Sequence, residues 1–318
     1  MTVTMRKTLA ALASACALAA VPGSVRAWNA GTHAWIAAEM HKKAGLADPA
    51  VLLDRIYGAN AIDLFNNDFS EPALTLQAWL HESPPDAIFL KAWRAVDPES
   101  ARDVAFAYGL VTHNNAWGAD STAHVAGITS GRDAGWVIAK ATVLGAYLDP
   151  ILRENGIILE PAQLLDVGHI LVEQAVDLLM LQLDPAVGEK LLASAMDRDP
   201  SFPTLLVAAW ADSFAEVLGS RAAAVEAILA YEAGLRQFLM AYGWALSQPE
   251  ALTLLAGQIA VMAEGYLGLP PGSGVALVPL IEYGVQAGMN LCASDFQREL
   301  AATVGWVNGR ISSNGVAF

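Results

Sequence analysis

The hydrophobic pattern of the chain predicts helices separated by short polar breaks. Apolar residues recur at helical spacing over Thr32 to Ala44 and over Glu99 to about His113. Longer stretches of this kind fill the second half of the chain: Gly135 to Leu152, Pro161 to Asp184, Phe202 to Leu218, Ser220 to Leu246, Pro249 to Leu267, and a last helix beginning near Ile281. Alanine and leucine dominate and β-branched runs are short, which favours helix over sheet. We therefore predict an all-α fold.

Glycine, proline and polar clusters mark the breaks. Asp54 to Pro72 mixes Gly, Asn and Asp with isolated apolar residues, which predicts a loop with short helical turns. Pro84-Pro85 marks another break, and Leu267 to Pro279 reads as an apolar loop. With neither a repeat nor a low-complexity linker, residues 28–318 are predicted to form one helical domain.

Residues 1–27 have the pattern of a secretory signal peptide. Arg6 and Lys7 precede an apolar stretch from about Leu9 to Val21, and a short polar section then ends at Ala27. We predict cleavage between Ala27 and Trp28, giving a secreted or periplasmic protein. A membrane anchor is the alternative, but the apolar run is shorter than the ~20 residues that a span needs. A loose lipobox before Cys16 has poor spacing.

Charge and cysteine content narrow the classes of function. Cleavage would remove three basic residues and no acids, so the formal charge would fall from −14 to −17. A protein this acidic is not held to nucleic acid by its overall field, and we expect no stable nucleic-acid binding. The mature chain would keep one cysteine, Cys292, and hence no internal disulfide. No later apolar run has the length and purity expected of a membrane-spanning helix.

Histidines and carboxylates recur at metal-ligand spacing. His169 and Glu173 lie four residues apart on one helix face, so they can bind one zinc ion from the same side. Asp120 and His124 repeat this spacing, and His113 precedes Asp120 by seven residues. Without a metal, the same pairs would be hydrogen-bonded polar positions on a helix or loop.

The order of these motifs resembles a known family. Trp28, as a new N-terminus, would offer an amino and a carbonyl group, and His33 follows five residues later, in the first turn of the predicted helix. An aspartate in a loop, a lone histidine, a His…Asp…His cluster and a final His-x-x-x-Glu then come in sequence. This order resembles the zinc-dependent phospholipase C and single-strand nuclease superfamily. The resemblance covers Trp28 to Glu173 and implies an all-helical domain with a trinuclear zinc cleft.

The resemblance also implies a set of ligands for each of three zinc ions. The ligands are, site by site, the Trp28 amino and carbonyl groups with His33 and Asp120; Asp63, His81 and His113 with the other oxygen of Asp120; and His124, His169 and Glu173. Asp63 would also orient the attacking water or accept its proton. Asp68 competes with Asp63 for its place. His41 has no partner in this scheme and is predicted to be a surface or helix-flanking residue.

One spacing departs from the family pattern. Six residues separate His113 from Asp120, where the family usually has three. In a continuous helix, this separation means a rise of roughly 10 Å, against roughly 6 Å for residues four apart. Metal bonds of about 2 Å cannot easily span that distance. We therefore predict that Asn114 to Gly118 bulges or unwinds and brings His113 back towards Asp120.

Three readings of the function remain open, and the first two are zinc-dependent hydrolysis of a phosphodiester. His169-x-x-x-Glu173 and the lack of disulfides resemble the phospholipases C, which act on phospholipid and contact membrane surfaces transiently. The close spacing of Trp28 and His33 resembles the nucleases instead. The third reading is an exported helical binding protein without catalytic activity.

Overall fold

The chain is 77% helical, and no β-strand occurs in the parts that the structure describes. The structure is a computed structural model that describes residues 28–45, 48–66, 68–82, 87–131, 133–267 and 270–316. The all-α, single-domain prediction is confirmed. The α-helices in these ranges are α1 (Ala30–Lys43), α2 (Pro49–Asn60), α3 (Glu71–His81), α4 (Ile88–Ala95), α5 (Ala101–Val111), α6 (Trp136–Glu154), α7 (Pro161–Met180), α8 (Val187–Met196), α9 (Phe202–Leu218), α10 (Arg221–Leu246), α11 (Ala251–Leu267), α12 (Val278–Cys292) and α13 (Phe296–Ile311).

Helix α7 runs through the centre of the molecule. Its second half, residues 171–180, is buried on every side, and helices α6 and α12 pack against it. Pro161 stands in its first turn, where the missing amide hydrogen costs nothing. Gly168 lets α6 approach closely, because a β-carbon there would lie 2.4 Å from the carbonyl oxygen of Ala141. The predicted ligands of α7 are therefore on a rigid central helix.

The first correction concerns Asp54 to Pro72, which the sequence predicts to be mostly loop. Its first part belongs to helix α2, and a 3₁₀ turn, Ala61–Phe65, follows. Gly58 weakens a helix in isolation, yet it is required here because α2 lies against α5. A β-carbon on Gly58 would come within 1.9 Å of the Phe106 carbonyl oxygen. Close packing of two helices has overridden the local preference of the sequence.

The C-terminal end holds one more helix than the sequence predicts. The helix expected from Ile281 begins at Val278, and a further helix, Phe296–Ile311, follows it. Ser273–Cys292 is long and apolar enough to cross a membrane by length and composition alone, which corrects the expectation that no later segment would be. Within the described residues its helical part packs on α7, where Gly284 faces the Leu171 side chain.

Three sequence predictions fall wholly or partly outside the described residues. They are the signal peptide over residues 1–27, the break at Pro84-Pro85, and part of the apolar loop, at residues 268–269.

Candidate metal centre

Eight of the predicted ligand side chains meet in the interior, although six separate segments supply them. Within the described residues they form three groups that could hold metal ions, with the ligand atoms of each group within 4.8 Å of one another. The groups are His33, His113 and Asp120; Asp63, His81 and His113; and His124, His169 and Glu173. His113 takes part in two of them, whereas the resemblance implies only one.

The first arrangement is the four-ligand group, defined as Asp63, His81, His113 and Asp120. His81 Nε2 lies 3.2 Å from Asp63 Oδ1, 3.2 Å from His113 Nε2 and 3.6 Å from Asp120 Oδ2. His113 Nε2 lies 3.5 Å from Asp63 Oδ1 and 3.0 Å from Asp120 Oδ2. Ligands about 2.0–2.1 Å from a tetrahedral ion stand about 3.3 Å apart. The five distances are therefore close to the edge length of a zinc coordination tetrahedron.

Backbone carbonyls fix which ring nitrogen carries the proton. The Nδ1 of His81 donates to the Gln77 carbonyl oxygen at 2.9 Å, and that of His113 donates to the Ala59 carbonyl oxygen at 2.6 Å. In the neutral rings the two Nε2 atoms then carry lone pairs that face each other at 3.2 Å. A metal ion between them, or a proton on one ring, relieves their repulsion, and this is the orientation that metal-binding histidines adopt.

Asp120 lies between the four-ligand group and His33. Its Oδ1 is 3.3 Å from His33 Nε2, while its Oδ2 faces His113. His33 Nε2 and both Asp120 oxygens are buried, and these contacts of 3.0–3.3 Å lack the geometry of hydrogen bonds. Buried polar atoms are rarely left in this state, so these residues fit a metal ion on each side of the Asp120 carboxylate. Trp28 lies close by, because its buried indole donates to the Ala119 carbonyl oxygen at 3.2 Å.

The second arrangement is the three-ligand group, defined as His124, His169 and Glu173. His169 Nε2 lies 3.1 Å from His124 Nε2 and 2.8 Å from Glu173 Oε1, and His124 Nε2 lies 3.5 Å from the same oxygen. His124 Nδ1 also contacts the side-chain oxygen of Asn115 at 3.2 Å. Three protein ligands at tetrahedral spacing are typical of catalytic zinc sites, in which water or substrate takes the fourth position.

The segment between His113 and Asp120 is a loop, which confirms the predicted interruption. Helix α5 ends at Val111, and the Asn114 side chain organises the turn that follows. Its oxygen accepts from the backbone nitrogens of Ala116 and Trp117 at 2.9 Å, and its amide donates to the Val111 carbonyl oxygen. The loop brings the His113 carbonyl oxygen to 3.0 Å from the Asp120 backbone nitrogen. Two ligands that are seven positions apart in sequence, His113 and Asp120, thus lie at one candidate metal position.

No family profile, curated protein or solved structure matches this chain at a significant level. The geometry of the centre must therefore carry the functional argument.

A pocket joins the two groups. It has an empty volume of about 700 Å³, and Asp63 and Glu173 both line it, together with Trp28. Among the four-ligand group's carboxylates, Asp63 has a side chain that is 14% exposed, whereas that of Asp120 is fully buried. No lysine or arginine lines the pocket within the described part of the chain. An anion in this pocket would need positive charge from bound metal.

The buried charges compensate one another when metal is absent. Burial alone would lower the pKa of His113, but the carboxylates of Asp120 and Asp63 outweigh it and raise that pKa to about 9. Burial likewise opposes the charge of Asp120, yet His113 and His33 hold the Asp120 pKa well below its usual range. The proton on His113 therefore supplies the positive charge that a metal ion would otherwise supply.

At two neighbouring histidines burial outweighs the nearby carboxylates, so the net pKa shift is downward. Burial lowers the pKa of His33, to which the charge of His113 contributes, and it lowers the pKa of His124. Both rings are therefore ready to bind metal at neutral pH without losing a proton first.

The structure distinguishes Asp63 from Asp68 as a candidate metal ligand. Asp68 accepts a hydrogen bond from the Tyr231 hydroxyl and belongs to none of the three groups, whereas Asp63 belongs to one of them.

His41, predicted to be a surface or helix-flanking residue, is buried with 4% of its area exposed. That prediction is wrong because Met40 and His41 both lie on the face of α1 that the bundle covers.

Sequence reasoning missed two residues that support the centre. Gln77, one helical turn before His81, places its amide 3.3 Å from Asp63 Oδ1. Asp177, one turn after Glu173, accepts from the backbone nitrogens of Gly31 and Thr32 at 2.8 and 2.7 Å, which fixes the start of α1 against α7. Both lie at i±4 from a predicted ligand, a spacing that could have revealed them.

Proposed function

We propose that this chain is a zinc-dependent phosphodiester hydrolase that binds three zinc ions and acts as a phospholipase C, releasing a phosphorylated head group and diacylglycerol. The observation that carries the proposal is the tetrahedral spacing of two ligand groups beside one pocket, one with four protein ligands and one with three. The order of the ligands along the chain, which resembles that of zinc-dependent phospholipases C and nucleases, supports the same reading.

The donor set favours zinc among the common divalent ions. Imidazole nitrogens supply five of the eight ligand side chains, and carboxylates supply the others. Magnesium and calcium prefer oxygen shells of six or more ligands, which these groups do not offer. When bound, the ions would neutralise phosphate oxygens, lower the pKa of water towards ~7 and stabilise the leaving oxygen.

The side chains of the pocket have separate tasks. His33, the Asp120 carboxylate and the four-ligand group would hold two ions, with the Trp28 amino and carbonyl groups completing the first of them. Asp63 faces the pocket, and burial there is outweighed by His113 and His81, which lower the pKa of its carboxyl group. Asp63 is thus ionised at neutral pH and is placed to orient water near the phosphorus or to take its proton.

The lack of basic side chains in the pocket argues for a diester bound through metal rather than through arginine or lysine. The strongly acidic chain also disfavours long-range attraction of nucleic acid. The acidity of the chain therefore supports phospholipid over nucleic acid as the substrate.

The test uses purified protein that begins at Trp28. Phosphocholine release from phosphatidylcholine vesicles is followed with and without a zinc chelator, alongside metal analysis. We expect about three zinc ions per chain and release that the chelator abolishes. Zinc-loaded protein that cleaves single-stranded DNA but not the vesicles would replace the phospholipase proposal with a nuclease. Protein that binds no zinc would contradict the enzyme proposal.

A histidine pair sharpens this test. His169→Ala removes one of three ligands, so we expect the loss of about one zinc ion and of at least 99% of the activity. Effects of 10- to 100-fold already follow from mutating groups that only support a metal ligand. His41→Gln is the matched control, because His41 is the histidine outside the three groups and is also buried. Equal activity of the two variants would count against the assignment.

A further inference from the structure

A second cavity lies beside the pocket of the metal centre and differs from it in chemistry. Its empty volume, which includes its open mouth, is about 990 Å³. Thirteen of its fifteen described lining residues are apolar, and Gln163 and Asp166 are the exceptions. Representative members of the wall are Leu148, Leu171, Ile259, Met262, Leu277 and Leu280.

The apolar cavity and the metal pocket share a wall. Ile170, Ile259 and Met262 line both of them. Ile170 follows His169 directly and precedes Glu173 by one turn of α7. A ligand that passes this wall would therefore have one end at the three-ligand group and the other among aliphatic side chains.

The lining excludes several kinds of ligand. No lysine or arginine lines the described part of the cavity, so it offers no partner to the charge of an anion. Apolar cavities of this kind bind hydrocarbons, because water gains few hydrogen bonds in them. Two exposed apolar side chains lie near the lining residues in sequence: Ile158, 59% exposed, stands between Ile157 and Leu159, and Val275, 73% exposed, precedes Leu277 by two positions. An alkyl chain that arrives from an apolar phase fits both the cavity and these neighbours.

We propose that the apolar cavity binds one acyl chain of the lipid whose phosphodiester lies in the metal pocket. This inference rests on the proposed function, and it gives helices α11 and α12 the task of recognising the lipid tail.

The first experiment needs neither metal nor catalysis. Metal-free protein is titrated with the neutral fluorescent probe N-phenyl-1-naphthylamine, which is then displaced by 1-decanol, 1-dodecanol and 1-tetradecanol. We expect one probe per chain and an alcohol affinity that rises about fourfold for each added methylene. The absence of a saturable site would overturn the proposal.

Two variants on one helix locate the site. Ala263→Phe adds a ring to the cavity wall and should weaken alcohol binding at least tenfold. Val261→Phe is the matched control, since Val261 is 66% exposed on the outer side of α11, and its affinity should stay within twofold. Leu280→Asn, at a half-buried lining position, provides a second loss that does not depend on added volume. Thermal melts check that each variant is folded. Unchanged binding in both cavity variants would refute the assignment.

The second experiment separates this proposal from the proposed function. Zinc-loaded protein is assayed on monomeric phosphatidylcholines with chains of four to seven carbons and on p-nitrophenyl phosphorylcholine, which has no chain. We expect kcat/KM to rise with chain length in the wild type, and Ala263→Phe to remove that rise while leaving the chainless substrate unaffected. Hydrolysis that ignores chain length would overturn the cavity assignment but leave the phospholipase proposal standing. Probe binding without any hydrolysis would overturn the proposed function, and with it the occupant named here.

Discussion

The four-ligand group and the three-ligand group use the same residue types but differ in their surroundings. In the first, His81 and His113 are fully buried and their Nδ1 atoms are held by backbone carbonyls. In the second, His124 is held by an Asn115 side chain, and Glu173 lines the pocket. A closed, backbone-anchored shell suits an ion that stays in place, whereas a three-ligand shell suits one that exchanges water for substrate. Under the proposed function, an ion in the four-ligand group would support the structure and an ion in the three-ligand group would meet the substrate.

The largest effect should come from Asp120, which lies between the four-ligand group and His33. Asp120→Asn replaces the shared carboxylate by a neutral amide with a single oxygen, so we expect about two of three zinc ions and at least 99% of the activity to be lost. Elemental analysis and the vesicle assay measure both. Asp212→Asn, at a carboxylate with a side chain 86% exposed, is the control. Full metal content in Asp120→Asn would show that Asp120 does not bridge.

A smaller effect should follow from the loop that closes the four-ligand group. A β-carbon at Gly118 would lie 2.6 Å from the Asn114 backbone nitrogen and from the Thr112 carbonyl oxygen. Gly118→Ala should therefore lower the free energy of unfolding by about 1–3 kcal/mol, and weaken zinc binding more at the four-ligand group than at the other. Gly305→Ala, where the β-carbon would meet nothing within 4 Å, is the control. Denaturant unfolding that fails to separate the two variants would contradict this account.

Proton release should distinguish the two groups directly. The His113 pKa is raised to about 9, so the folded metal-free protein carries this proton at pH 7.5 and zinc must displace it. Zinc affinity of the four-ligand group should therefore rise about tenfold per pH unit up to about pH 9 and then level off. The lowered pKa of His124 predicts that zinc displaces no proton from that ring of the three-ligand group.

Calorimetry in buffers of different ionisation enthalpy measures this release. His169→Ala isolates the four-ligand group, and about one proton per ion bound there is expected at pH 7.5. Binding heats that are independent of the buffer would show that His113 is already neutral.

The smallest effect is expected at the one free thiol of the described chain. Cys292 is buried, and burial raises the pKa of its thiol to about 12, so it is neither a thiolate ligand nor a reactive nucleophile at neutral pH. Cys292→Ala should leave the zinc content of both groups unchanged and cost about 1 kcal/mol of stability or somewhat more for the lost volume. A fall in bound zinc would add a ligand that neither group contains.

Sequence patterns predicted the parts of the fold that depend on local order. The helices over Phe202 to Leu218 and Ser220 to Leu246 match α9 and α10 closely because long apolar stripes dominate their propensity. Helix α2 was mistaken for loop because Gly58 and Asn60 weaken it locally. Its stability comes from contact with α5, and a single sequence does not show such contacts.

The ligands of the centre were easier to predict than their surroundings. Spacings of four residues indicated His169 with Glu173 and Asp120 with His124, and the departure at His113 correctly required a loop. The contribution of Ala59 could not be predicted, because a backbone carbonyl has no sequence signature. The burial of His41 and the shared wall at Ile170 also depend on which helices meet, and that is settled only in three dimensions.

Asn115 has a consequence for the order in which metal ions bind. Its backbone nitrogen donates to the His81 carbonyl oxygen at 2.8 Å, and its side-chain oxygen contacts His124 Nδ1. One residue thus touches a ligand of each group, so zinc binding at the four-ligand group would also fix the ring of His124. Such a link makes the metal sites energetically coupled: the first ions should raise the affinity for the last, and zinc should load cooperatively rather than site by site.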